Sequence, residues 1–131
     1  MRGHKAFHTR YGRGQCDLFG VLHAMSLMCA ECGYCQGMGP LAAMLLMHMP
    51  ASDALRVMQR MHDVYGFHEL FRPGFPGLRA EFYVLSQLLD ALVPRMAQAL
   101  VQAGLAPSAY ATRWLLPVFH DALPHAPQPR G

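Results

Sequence analysis

With 131 residues, 53% of them hydrophobic and 15% charged, the chain suits one globular domain with one core and is neither long enough for two nor polar enough for a disordered segment. A net charge of +3, with Asp53, Asp63, Glu69, Glu81 and Asp90 diluting any basic patch, argues against a nucleic-acid partner. The polar N-terminus has no signal-peptide core, and the most apolar stretch, Leu41 to Met49, falls far short of the ~20 residues that cross a bilayer. A cytoplasmic chain with reduced thiols and no transmembrane segment is expected.

Residues 1–14 are rich in Gly, His and Arg without apolar periodicity and read as a basic N-terminal loop; Arg2, Lys5, Arg10 and Arg13 all precede the first acid, Asp17. From Gln15 a helical pattern begins. Leu18, Leu22, Met25 and Cys29 are spaced four, three and four apart, so they share one face. Gly33 ends this helix or turns the chain. Pro40 to Met49 is apolar nearly all round, which predicts a fully buried helix with Pro40 in its first turn and Pro50 as its stop. Ser52 or Asp53 is the expected cap of the next helix. Ala54, Val57, Met58, Met61, Val64 and Tyr65 form its apolar stripe, with Arg56, Gln59, Arg60 and Asp63 facing away.

Residues 66–77 read as a loop because of Gly66, Pro73, Gly74, Pro76 and Gly77. Leu78, Phe82, Leu85, Leu89, Leu92, Met96, Ala99 and Ala103 then alternate spacings of four and three, the strongest periodicity in the chain. Pro94 makes this one kinked helix or two abutting ones, and Gly104 is a natural stop. Ser108 can cap a last helix through Tyr110, Trp114, Val118 and Ala122, and 124–131 is a Pro-rich tail. No alternating run bounded by hairpin turns occurs. The fold class is all-α, with five or six helices in one domain.

The loop between the first two helices carries Gly33-Tyr34-Cys35-Gln36-Gly37-Met38. A glutamine on a rigid turn between buried helices either solvates a helix end or is presented to a partner. Gly12-x-Gly14-Gln15 with Leu18-Phe19-x-Val21-Leu22, Gly39-Pro40-Leu41-Ala42-Ala43, Leu45-Leu46-Met47-His48-Met49-Pro50, and Tyr110-Ala111-Thr112-Arg113-Trp114 with Phe119 surround it, with His4 and Phe7 ahead. This pattern, over roughly residues 4–124, resembles the TBC family, the GTPase-activating proteins of Rab GTPases.

The resemblance implies a partial TBC-like helical domain over 15–123, with a Rab-type small GTPase as partner and a role in vesicle trafficking. The chain would be a regulator and not itself an enzyme. The partner would carry GTP and Mg²⁺, so the chain needs no cofactor of its own, and any contact with endomembranes would come through that partner. In GTP hydrolysis a glutamine orients the attacking water and an arginine neutralises charge on the phosphates; TBC proteins are known for supplying both. By position Gln36 is the glutamine finger. Tyr34 would pack beside it and fix the turn, Cys35 is the middle of the motif, and Gly33 and Gly37 would let the GTPase backbone approach.

The family's arginine lies in an Ile-x-x-Asp-x-x-Arg segment that aligns just upstream of Met1. Arg2 is too close to His4 to be it and no Asp-x-x-Arg precedes Gln36, so no arginine finger is assigned. The family pattern also continues past Leu123-Pro124, so about half a domain is expected here. Met25 and Met28 stand where aromatic residues are usual. An arginine finger is worth roughly 10³–10⁵ in rate; without one, Gln36 should give weak stimulation or none. That leaves a catalytically inactive GTPase- or protein-binding module as the alternative.

A third reading comes from Cys29-x-x-Cys32-x-x-Cys35 with Cys16 upstream, thiols that could ligate zinc or an iron–sulfur cluster. No fourth Cys or following Pro completes the ferredoxin pattern, and buried packing thiols are the expectation, with no metal assigned. The eight histidines read as surface or helix-end residues; His4 and His8 have the His-x-x-x-His spacing but Lys5 stands where a zinc hydrolase needs glutamate.

Overall fold

A computed structural model describes residue 7 and residues 9–116. All regular structure among them is helical: α1 (Arg13–Met28), α2 (Met38–Leu46), α3 (Ala51–Val64), α4 (Phe67–Phe71), α5 (Pro76–Leu92), α6 (Pro94–Gln102), α7 (Pro107–Tyr110) and α8 (Thr112–Leu115). The first three helices pack against one another, α4 rests on α3, α5 rests on α4, and α6, α7 and α8 gather on α5.

The core lies in the first half. Val21 and Met25 of α1, Met38, Leu41, Ala42 and Leu45 of α2, Ala54 and Met58 of α3 and Phe71 of α4 are buried together, with Cys32 and Cys35 of the α1–α2 loop among them. Three of the four largest fully buried side chains are methionines (Met25, Met38 and Met58), whose unbranched thioethers fill irregular gaps between helices. α2 is the centre of this packing: six of its residues are buried, as expected of a helix apolar on every side. Truncating a side chain such as Leu41, 1% exposed, would leave a cavity worth about 2–5 kcal/mol.

Several local expectations change. Ser52 and Asp53 do not cap α3; Pro50 takes that position with φ −61° and ψ 158°, and Asp53 instead stands 4.0 Å from Arg56 one turn on. Residues 66–77 are not all loop. Phe67, Leu70 and Phe71 pack on or into the core, and burying them stabilises a short helix, α4, that the surrounding Gly and Pro argue against. Val64 and Tyr65 leave the apolar stripe and are exposed because α3 ends there. Pro94 does divide the long periodic segment into two abutting helices and stands in the first turn of the second. Ala106, not Ser108, precedes α7, and the chain breaks again at Ala111 before α8. The expected course through Val118 and Ala122 lies outside the described residues. The extra breaks and α4 raise the helix number from the expected five or six to the eight named above.

Candidate functional site, the loop between the first two helices

α1 ends at Cys29, whose extended backbone turns the chain out of the helix. The Gly33 N–H then donates to the Cys29 carbonyl (2.9 Å), and Gly33 itself takes φ +56°, a left-handed conformation with open space where a Cβ would be. Any other residue would be strained there by about 1–2 kcal/mol. Two residues further, the Met38 N–H donates to the Cys35 carbonyl (2.9 Å) and the Gly39 N–H to the Gln36 carbonyl (3.4 Å), which opens α2.

Between these turns the side chains sort by burial. Cys35 (8% exposed) and Met38 (1%) point into the core, whereas Tyr34 (57%) stands in solvent. Gln36 is exposed and Gly37 buried. Gly37 lies against Leu116, which a Cβ would meet at 3.2 Å, so its missing side chain serves contact with the chain's own C-terminal region. Gln36 is therefore flanked by two inward anchors, Cys35 and Met38, and projects outward from a loop held at both ends.

The loop is tied sideways as well. Glu31 Oε1 is 3.2 Å from Arg72 Nε, close enough for an ion pair although not aligned for a hydrogen bond, and Glu31 Oε2 is 3.4 Å from His68 Nε2. Arg72 in turn donates from its Nη1 to both oxygens of Glu69 (3.0 and 3.3 Å).

Behind this surface, Cys29 and Cys32 meet two histidines. Cys32 Sγ is 3.4 Å from His68 Nδ1 and 3.6 Å from His62 Nε2; Cys29 Sγ is 3.7 Å from His68 Nδ1; and the two ring nitrogens are 3.1 Å apart. Cys32 is buried, and the His62 and His68 side chains are only 12% and 30% exposed. The Cys32 backbone N–H donates to Cys29 Sγ (3.4 Å), and this bond foremost draws the Cys29 thiol down to about 7. Burial, with Cys29 alongside, pushes the Cys32 thiol up to about 12. His62 loses basicity to burial but regains more from Asp63, bonded to its Nδ1 at 2.7 Å, and then from Cys29, so its pKa ends above the ordinary value.

The sequence reading groups Cys29 and Cys32 with Cys35 and Cys16. The structure separates them: Cys16 is exposed, Cys35 faces the core, and Cys29 and Cys32 are grouped with His62 and His68 as the side chains that could hold a metal ion. These histidines are neither free surface residues nor simple helix ends. Cys-x-x-Cys and His-x₅-His are both spacings of zinc ligands, and that signal is present in the chain. What hides it is distance, since Cys32 and His62 are thirty positions apart and only the packing of α1 on α3 joins them.

The fold and this loop define a helical domain that exposes Gln36 from a braced connection between its first two helices. Residues 1–127 match the Rab-GTPase-TBC domain family, and the chain belongs to that family. It is 39% identical over 127 residues to a TBC domain-containing protein of Schizosaccharomyces pombe, covering 97% of this chain and 30% of that protein. It is 35% identical over 121 residues to a Rab GTPase-activating protein, tbc-11, of Caenorhabditis elegans, covering 92% of this chain and 13% of the relative. Similarity to TBC1 domain family member 4 of Mus musculus is also 35% over 121 residues, covering 92% and 9%. The chain thus spans less than a third of the length of these relatives. No helix among the described residues is long and apolar enough to cross a membrane.

Proposed function

We propose that the chain serves GTPase activation on a Rab-type small GTPase, presenting Gln36 to the partner's nucleotide site. The supporting observation is the setting of Gln36: exposed, and carried between the buried Cys35 and Met38 on a loop bonded at both ends. Such a side chain can enter a partner's active site without the backbone having to reorganise, and in phosphoryl transfer that orienting role is the one a glutamine fills for the attacking water. Tyr34, Gly33, Cys35 and Gly37 shape the contact in different ways. Tyr34 offers an exposed ring, Gly33 an open left-handed turn, and Cys35 and Gly37 hold the loop from within. The GTPase supplies GTP and Mg²⁺ and performs the hydrolysis.

A second reading is a module that binds the GTPase without accelerating it. It rests on the exposed Tyr34 ring beside the exposed Gln36, a contact surface that can hold a GTPase without acting in the hydrolysis.

Single-turnover GTP hydrolysis by a panel of Rab proteins tests both. Stimulation that disappears in Gln36→Ala, with binding retained, is the expected result for an active module. Binding without stimulation leaves the second reading. Neither binding nor stimulation by a folded, helical sample overturns both.

A further inference from the structure

The four side chains Cys29, Cys32, His62 and His68 form a cluster that the GTPase-activating role does not use, and their donor atoms all lie within 4.8 Å of one another. A single tetrahedral ion with metal–sulfur bonds of about 2.3 Å and metal–nitrogen bonds of about 2.0–2.1 Å needs sulfur–nitrogen edges of about 3.5 Å and a nitrogen–nitrogen edge of about 3.3 Å. Three of the four sulfur–nitrogen separations are 3.4, 3.6 and 3.7 Å, the nitrogen–nitrogen separation is 3.1 Å, and the remaining pairs lie within 4.8 Å. We propose that Cys29, Cys32, His62 and His68 are the ligands of a structural Zn²⁺ ion that clamps the Gln36 loop to α3 and α4.

The surroundings fit such an ion. A zinc-bound histidine ordinarily donates its other ring N–H to a carboxylate, which fixes its tautomer and strengthens it as a ligand. His62 makes that bond, and His68 has a carboxylate at ion-pair distance. His62 turns Nε2 to the cluster and Nδ1 to Asp63 (2.7 Å), and His68 turns Nδ1 to the cluster and Nε2 to Glu31 (3.4 Å). The two rings stand edge to face at 86°, so the two lone pairs converge without stacking. The N–H of Cys32 directed at Cys29 Sγ stabilises a thiolate at the first ligand.

The donor set also selects the ion. Two thiolates and two imidazoles at tetrahedral spacing suit zinc, and four protein donors leave no open position for substrate, so the site is structural and not catalytic. A two-iron cluster with mixed ligands places the Cys pair and the His pair on separate irons, whereas here each histidine nitrogen is in contact with Cys32 Sγ. On binding, the two S–H bonds give way to two S–Zn bonds and the thiol protons pass to solvent.

The consequence is positional. Cys29 closes α1, Cys32 lies four residues before Gln36, His62 is in the last turn of α3 and His68 is in α4. One ion would therefore fasten the glutamine loop to the two later helices it touches.

The test uses the full chain, stripped with chelator and then titrated with Co²⁺ as a spectroscopic probe. One equivalent should give the strong visible bands of tetrahedral cobalt together with a thiolate charge-transfer band, and Zn²⁺ should displace it. Cys29→Ser and His68→Ala should each abolish or weaken that signature, while Cys16→Ser and Cys35→Ser keep it. Asp63→Asn, at a side chain 64% exposed, should weaken binding by about 10- to 100-fold with the fold intact. If stripping unfolds the chain, Zn²⁺ should restore its helicity. Absence of a charge-transfer band, failure of Zn²⁺ to refold a stripped chain, or loss of the signature in Cys35→Ser but not in Cys29→Ser overturns the assignment. None of these readouts requires a Rab protein, so the outcome is independent of the proposed activity.

Discussion

The two halves of the molecule solve the problem of burial differently. From α1 to α4 the helices enclose one continuous cluster that takes in Met25, Met38, Leu41, Met58 and Phe71. From α5 to α8 only Leu78, Ala97 and Ala111 are buried, while Tyr83, Val84, Leu88, Leu92, Val93, Met96, Val101, Leu105 and Trp114 are exposed. The periodicity of α5 and α6 is nevertheless the sharper of the two. A well-formed apolar stripe makes a helix amphipathic, but it becomes core only where another element covers it. The Gln36 loop belongs to the half that is covered, which suits the proposed presentation of Gln36 to a partner.

Four experiments bear on that contrast. The largest effect is expected from metal removal. Chelation should lower the stability of the α1–α4 half by about 4 kcal/mol, the stabilisation given by an ion at roughly a thousand times its dissociation constant. Thermal unfolding with and without Zn²⁺ measures it, and equal melting temperatures would mean that no ion contributes. Next comes the same truncation made in each half. Leu41→Ala should cost about 3 kcal/mol by leaving a cavity, whereas Leu88→Ala, at a residue 50% exposed, should stay within about 0.5 kcal/mol. Denaturant midpoints decide this, and comparable losses would show that α5 is covered after all.

The joint between the halves gives a smaller effect. A Cβ on Gly77 would stand 2.9 Å from the backbone carbonyl carbon of Glu69, so Gly77→Ala must lift α5 away from α4 at a cost of about 1–3 kcal/mol. Hydrogen exchange should show α5 loosened and α1–α3 still protected; uniform loss of protection would mean that the halves unfold as one. Last, Gln36→Ala should leave the melting temperature unchanged within error, because Gln36 is exposed. Under the proposed function its effect should fall on the stimulation of GTP hydrolysis by a Rab protein. A substantial loss of stability would assign the glutamine to the fold and not to a partner.

Much of this was legible in the residues. The all-α class, a buried helix with Pro40 in its first turn (although it runs from Met38 to Leu46 and stops short of Pro50), the break at Pro94 and the loop carrying Gln36 follow from periods of three and four, from proline's missing N–H and from the glycines around the motif, because these are local properties of consecutive residues. Likeness over nearly the whole chain placed it in the Rab-GTPase-TBC family, and the glutamine motif pointed the same way. α4 was hidden because the burial of Phe67 and Phe71 outweighs the local signals of Gly66 and Pro73. The caps at Ser52 and Ser108 failed because neighbouring prolines began the helices earlier. Which cysteines share a site with which histidines was not legible either. Spacing along one helix aligns Cys29 with Cys32 and suggests Cys35 as the next ligand, yet the chain leaves the helix at Cys29 and turns at Gly33, and Cys35 is buried in the core outside the Cys29, Cys32, His62 and His68 group. Local sequence thus determined most of the helices and the glutamine loop between the first two; only the packing of α1 on α3, with α4 resting on α3, brought two thiols and two imidazoles, thirty and more positions apart, to ligand distance.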